Sequence, residues 1–300
     1  MMKKLKYLFV LLPFWLGAQH LPHYSQYMLN DYAINQAWAG SKDYFDVKSN
    51  HRNQWVGITD APRTYTLSAH GPLKNKNMGI GGWLYTDHVG PTRRTGIQLS
   101  YAYHIQVAEK TKVSLSLGAG LLQYMVDASK ITLRDQGDPV IGNGLQSALV
   151  PDFAFGLLVH HEDYYFGVSL PQIIQNKLYF YDYQTETRSK LEDHYYVTGA
   201  YTFHITDDFD LQPGFLVKYV KPIPVQFDFT GRLIYKKQVW LGASYRTMDA
   251  IAIMTGYLYK ENLLIGYSYD ITHSNLGNYN RGTHEIMLGV RFVREKTFKP

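Results

Sequence analysis

Residues 266–292 read GYSYDITHSNLGNYNRGTHEIMLGVRF. Ile286, Leu288, Val290 and Phe292 are apolar, and Glu285, Met287, Gly289 and Arg291 alternate with them. Period two marks a strand whose two faces meet different surroundings. An alternating run also precedes the polar centre, and Asn275, Gly277, Asn278, Asn280 and Gly282 within that centre favour tight turns. The same alternation returns in Ser114–Leu121, Val225–Thr230 and Val239–Arg246. About fourteen such segments fall between residues 44 and 294. They centre near 48, 67, 83, 98, 119, 155, 167, 198, 215, 230, 242, 255, 266 and 288. Each is roughly 8–14 residues long, which suits a tilted membrane-crossing strand.

Alternation alone fits either a soluble sandwich or a barrel with lipid outside and a polar lumen. Three further features favour the barrel. The opening MMKKLKYLFVLLPFWLGAQ has a basic start, a short apolar run and a small residue before Gln19. It reads as an export signal over residues 1–18, the alternative being an uncleaved anchor. Charged residues make up only 18% of the chain while aromatic ones reach 15%, with 26 tyrosines suited to a membrane–water boundary. No later stretch is long and apolar enough for a transmembrane helix, and strands in hydrocarbon must close on themselves. The expected fold is all-β, a transmembrane antiparallel barrel of about 14 strands with a short N-terminal helical or plug segment. Without residues 1–18, which hold three lysines and no acid, the formal charge falls from +5 to +2. No nucleic-acid partner is inferred.

The connectors alternate in length. Leu73–Asn77, Val107–Lys112, His160–Asp163, Thr206–Asp208, Lys236–Gln238 and Lys260–Asn262 are short, whereas Asp127–Leu149 and Pro171–Asp193 are long. Outer-membrane barrels have short periplasmic turns and longer external loops. This parity predicts an even strand number with both termini periplasmic. The division is then an export signal at 1–18, an N-terminal segment at 19–43, the barrel at 44–294 and a tail at 295–300. Residues 26–40 do not alternate, so 19–43 is either a lumenal plug or a tail on the periplasmic rim.

Several short motifs occur in order: Tyr24-Ser25-Gln26-Tyr27, Asn35-Gln36-Ala37-Trp38-Ala39-Gly40, Arg52-Asn53-Gln54-Trp55, Pro62-Arg63-Thr64, then Tyr269-Asp270 with Ser274, and Gly282-Thr283-His284-Glu285-Ile286. Together they resemble the PorP/SprF family of Bacteroidetes type IX secretion membrane proteins, with Gln36 standing where that pattern has proline. The resemblance covers essentially the whole mature chain. It implies a bacterial outer-membrane barrel that supports export or surface attachment of adhesins and other cargo with C-terminal sorting domains. It also implies contact with periplasmic ring and motor proteins and a link to gliding motility.

A closed barrel pairs its first strand with its last. The parity therefore brings RNQW and YDITHS…GTHE together at one external seam. Arg52, with its planar fork of donors, faces Asp270 and Glu285 as candidate carboxylates. Trp55 and Tyr279 are rings suited to anchoring a partner. Asn53, Ser274, Asn275 and His284 complete the candidate set. The alternatives are a structural cross-strand network and direct contact with cargo. Lysines at 74–76 and 236–237 and the tail 294–300 are candidate machinery contacts, or plain rim solvation. Leu178–Tyr181 is an aromatic cluster that either lids the barrel or touches a partner.

No catalytic site, metal or cofactor is expected. His284 and Glu285 point to opposite faces of their strand. His160–Asp163 diverge on a tight turn, and Asp127–Gly144 lacks a regular calcium-loop order. No motif pairs Ser274 with a histidine as a nucleophile. The leading functional expectation is a non-enzymatic accessory barrel of type IX secretion. A transporter or channel for a hydrophobic small molecule is the alternative, with Pro171 or Pro213 breaking a strand beside a lateral opening. An open diffusion porin is a third reading.

Overall fold

The computed structural model describes residues 21–132, 144–178, 191–221 and 223–293. The export signal 1–18, the tail 295–300, residues 133–143 of the candidate calcium loop and Tyr179–Tyr181 of the aromatic cluster lie outside them. Fifteen strands form one antiparallel sheet. They are β1 Tyr44–Asn53, β2 Arg63–Pro72, β3 Met78–Val89, β4 Thr92–Gln106, β5 Lys112–Asp127, β6 Leu145–His160, β7 Tyr164–Gln172, β8 His194–Tyr201, β9 Phe203–His204, β10 Phe209–Val220, β11 Gln226–Tyr235, β12 Val239–Arg246, β13 Ala250–Tyr259, β14 Leu263–Thr272 and β15 Thr283–Val293. Successive strands pair in order, and β1 pairs with β15 from Tyr44↔Val293 to Asn53↔His284. The sheet is thus closed, and among the described residues no strand is left as an open edge.

β8 and β9 are two pieces of one stave, so the wall has fourteen. The break falls where Pro213 on β10 has no N–H to give. Thr202, left between the pieces, turns its own N–H to the Asp163 carbonyl at 2.7 Å. A second irregularity shifts the β7–β8 register between Ser169 and Gln172, beside Pro171. Each of the fourteen segment centres read from the sequence lies inside a strand.

The outward face is apolar. Leu99, Leu117 and Leu241 are 69%, 67% and 59% exposed at mid-wall. A contiguous exposed belt of this kind belongs in lipid. Exposed tyrosines ring both ends: Tyr103, Tyr164, Tyr201, Tyr235 and Tyr259 at the short-turn end, and Tyr65, Tyr195, Tyr219 and Tyr245 at the long-loop end.

The lumen is filled by residues 21–41, nearly all of them buried. The segment carries a single helical turn, α1 Asp31–Ile34, and a 3-10 turn, Gln36–Trp38, capped by Asn35 Oδ1 accepting from Ala37 N at 3.0 Å. Its backbone cannot reach bulk water, so wall side chains satisfy it. Ser169 Oγ donates to the Ile34 carbonyl at 2.6 Å, and His104 Nε2 to the Ala39 carbonyl at 2.9 Å. Two wall glycines make the fit possible. A Cβ at Gly81 would meet the Tyr32 ring at 2.6 Å, and one at Gly118 would collide with the Gln36 amide.

Leu21, the first described residue, lies at the long-loop end, where its N–H donates to His194 Nε2 at 3.1 Å. From there the segment runs the length of the lumen before β1 begins at the opposite end.

Candidate functional site

Two arrangements stand out, one inside the lumen and one above it. Inside, near the long-loop end, Arg52 lies opposite Glu285 in the β1–β15 ladder, and both point inward. Arg52 Nη1 donates to Glu285 Oε2 at 2.9 Å and Nη2 to Asp270 Oδ2 at 2.7 Å. Arg246, on β12, reaches Asp228 at 3.1 Å, Asp249 at 3.0 Å and Asp270 at 3.4 Å. Lys218, on β10, reaches Asp228 at 3.0 Å and donates to His23 Nδ1 at 3.0 Å. Apart from the partly exposed Asp249 these charged side chains are buried, and each has an opposite partner that offsets the loss of water.

The N-terminal segment ties this cluster together. Ser25 Oγ has one proton and two lone pairs. It donates to Asp270 and accepts from Arg52 Nη1 at 2.9 Å and Arg246 Nη2 at 3.1 Å. The Glu285 carboxylate accepts from Ser25 N at 2.8 Å, Gln26 N at 3.0 Å, Asn50 Nδ2 at 2.9 Å and Arg52. The YSQY motif is therefore the wall cluster's partner. Sequence reasoning missed Ser25, Lys218, Asp228 and Arg246. A signal was available for two of them: Asp228 and Arg246 each follow a lipid-facing aromatic, Phe227 or Tyr245, and so must point inward.

The other predicted residues lie apart from this cluster. Asn53 and His284 face outward, where His284 Nδ1 lies 2.7 Å from Tyr267 Oη. Trp55 sits in the β1–β2 loop at a φ of 46° and donates its N–H to Thr283 Oγ1 at 3.1 Å. Val56 N bonds Gly282 O, and Arg281 N bonds Val56 O, so the two end loops form a short ladder above the wall. Within the β14–β15 loop, Asn280 donates to Leu276 O at 2.6 Å and accepts from Gly282 N at 2.7 Å. Ser274 opens the 3-10 turn Asn275–Tyr279, Asn275 is exposed, and Tyr279 is 76% exposed. The structure brings together Arg52, Asp270 and Glu285 in the lumen. It leaves Trp55, Asn275 and Tyr279 on the loops.

The sequence profile of the type IX secretion system membrane protein PorP/SprF family matches residues 16–290. The chain belongs to the PorP/SprF family. No functionally curated protein matches it. Among solved structures, this PorP/SprF protein is similar in fold to the Ralstonia pickettii toluene transporter TbuX, at 10% identity and a TM-score of 0.52, over 86% of this chain and 90% of that one. It also matches the CymD monoaromatic hydrocarbon channel at 13% identity and a TM-score of 0.47, over 88% and 91% of the two chains. The likeness to TbuX shows the fold alone: the PorP/SprF chain is an outer-membrane β-barrel.

Lower in the lumen, Asp31 forms a second tether of the segment, with Lys42 at 2.8 Å and Lys48 at 3.7 Å. Burial by itself would raise the Asp31 carboxyl, but Lys42 and Lys48 hold it well below the usual carboxylate range. Burial disfavours the Lys42 ammonium, yet Asp31 holds it above the ordinary lysine value. A depressed acid stabilises above its ordinary value of 3.8 and loses that contribution as pH falls further. A raised lysine stabilises below 10.5 and loses its contribution as pH rises further. The stability difference between the parent and Asp31→Asn is therefore expected to be flat between those values and to shrink outside them. Chemical unfolding in detergent across that range measures it; a step near neutral pH would count against the tether. Among the described residues no group of three or more His, Asp or Glu side chains is placed to hold a metal.

Proposed function

We propose that this PorP/SprF barrel is a non-enzymatic accessory component of type IX protein secretion and gliding motility. On this reading it binds cargo bearing C-terminal sorting domains at the long-loop end, which faces the exterior. It contacts the periplasmic ring or motor through the short turns. The observation that carries this reading, given the family, is the occupied lumen. Residues 21–41 fill it and are bonded to the wall at several levels, which favours recognition at the ends over conduction through the middle. The β1–β2 and β14–β15 loops, with Trp55 and Tyr279, offer rigid rings on a stapled support suited to a protein partner.

The test is affinity purification of the tagged protein from native outer membranes. Cargo and ring proteins are expected to copurify. Trp55→Ala combined with Tyr279→Ala is expected to reduce cargo recovery while the barrel still folds. Recovery of the barrel alone, from membranes that hold assembled secretion machinery, would argue against the proposal.

A second reading, carriage of a hydrophobic small molecule, has one specific observation in its favour. A groove of about 440 Å³ lies beside the broken stave, lined by Phe166, Gly199, Tyr201, Pro213, Phe215 and Phe229. This reading expects uptake of an apolar solute that a bulky replacement at Gly199 blocks. The secretion reading expects no such uptake.

A further inference from the structure

Five lysine or arginine side chains are buried among the described residues: Lys48, Arg52, Lys218, Arg232 and Arg246. Four of them have a carboxylate close by. Lys48 has Asp46 at 2.9 Å, Arg52 has Asp270 at 2.7 Å, Lys218 has Asp228 at 3.0 Å, and Arg246 has Asp228 at 3.1 Å. Arg232 has none within 4 Å among the described residues. It is 8% exposed, its Nη2 donates to the neutral amide oxygen of Gln212, and its Nε has no partner. An ionised guanidinium in such a position lacks the counter-charge that burial demands.

Arg232 is not packed against other atoms on every side. It lines a cavity of about 530 Å³ that also touches Glu109, Lys110, Glu162 and Asp163, and so opens at the short-turn end. The acids around that cavity are already engaged. Asp31 is held by Lys42 and Lys48, Glu162 by Lys110 at 2.9 Å, and Asp163 by His204 at 3.1 Å. Glu109 is exposed on the turn at the mouth. Met28, Trp38 and Tyr165 also line the cavity, as do Lys42, Lys112 and His160, whose Nε2 lacks a partner.

The geometry points to a carboxylate-binding site in which Arg232 takes the anion of a ligand with an apolar or aromatic body. A single planar fork of donors matches one carboxylate. Among the lysines and arginine on this cavity only Arg232 is buried, Lys42 being paired with Asp31 and Lys110 with Glu162, and with Trp38, Tyr165 and Met28 in the same lining the site suits a monoanion with an apolar portion. The carboxylate has two possible sources, a free small acid or a polypeptide terminus inserted from the short-turn side. The inference goes beyond the secretion reading and does not depend on it.

Calorimetric titration of the full barrel in detergent tests it. The probes are phenylbutyrate against its neutral amide, and a short peptide ending in phenylalanine with a free C-terminus against the same peptide amidated. At least one acid is expected to bind while its amide does not, and Arg232→Gln is expected to weaken that binding about tenfold or more. Binding of phenylbutyrate alone identifies a free acid as the source, and binding of the peptide alone a polypeptide. No acid-dependent binding by either probe, or equal binding by Arg232→Gln, overturns the site. Stability of the free protein gives a second reading. Arg232→Met is expected to unfold no earlier than the parent, unlike Arg52→Met. Destabilisation as large as that of Arg52→Met would reveal an existing counter-charge and overturn the inference.

Discussion

Glu285→Ala is expected to lower the unfolding free energy of the detergent-solubilised barrel by about 3–5 kcal/mol. The carboxylate serves four donors at once: the Arg52 guanidinium, the Asn50 amide, and the backbone N–H groups of Ser25 and Gln26. Alanine leaves all four in a region that water does not reach, and each orphaned donor bears its own desolvation cost. Asp270 remains to hold Arg52, which limits the charge imbalance but does nothing for the two backbone groups. Glu285→Gln keeps one acceptor oxygen and loses the charge, so its effect is expected to be smaller. His284→Ala, one residue away on the lipid face, gives up only the contact with Tyr267 and is expected to cost under about 1 kcal/mol. The temperature at which the compact gel band of the folded barrel disappears ranks the four proteins. Equal behaviour of Glu285→Ala and His284→Ala would remove the cluster from any role in holding the wall and the segment together.

The second large effect is electrical. The parent barrel in a planar bilayer is expected to be insulating, and deletion of residues 21–41 is expected to make it conduct. The segment occupies the lumen from Leu21 beside His194 to Ala39 beside His104. Without it the inward acids and bases still pair across adjacent strands, as Arg52 does with Glu285 and Arg246 with Asp228. The wall is therefore expected to stay closed around a water-filled path lined by both signs of charge. Gly81→Trp offers a subtler version: a side chain there takes the volume of the Tyr32 ring, which also stacks on His70 at 4.7 Å. It is expected to produce intermittent openings while the full chain is retained. A deletion variant that folds and still insulates would mean that something other than this segment seals the barrel.

Much of the wall was legible because lipid and lumen impose opposite demands on neighbouring residues. Leu115, Leu117 and Leu121 are exposed outward while Ser114 and Ser116 are buried inward, so strict alternation marks the strand. Loop lengths were legible for a similar reason, since the short turns need only reverse direction. The interior was harder to read. Arg52, Asp270 and Glu285 drew attention through their motifs, but Lys218, Asp228 and Arg246 stand on three separate strands, and which inward residues meet depends on register and curvature. The choice between plug and rim tail was open because residues 26–40 follow no simple period. Their conformation is dictated by the wall, as with Gln36, which bonds Gln98. The glycines that admit the segment look like ordinary inward residues until their occupants are seen.

The contact between Ser25 and Glu285 joins residues 260 positions apart. Contacts of such long sequence separation form late, after the chain between them has been ordered. The leading segment therefore has no complete seat until the final hairpin arrives, and the tube has to be assembled around a thread that is already inside it. A barrel stalled before its last two strands would hold that thread loosely, with Asn50 and Arg52 awaiting their acids. Completion of the wall and capture of its contents become one event, which gives the cell a single moment at which a finished molecule differs from an unfinished one.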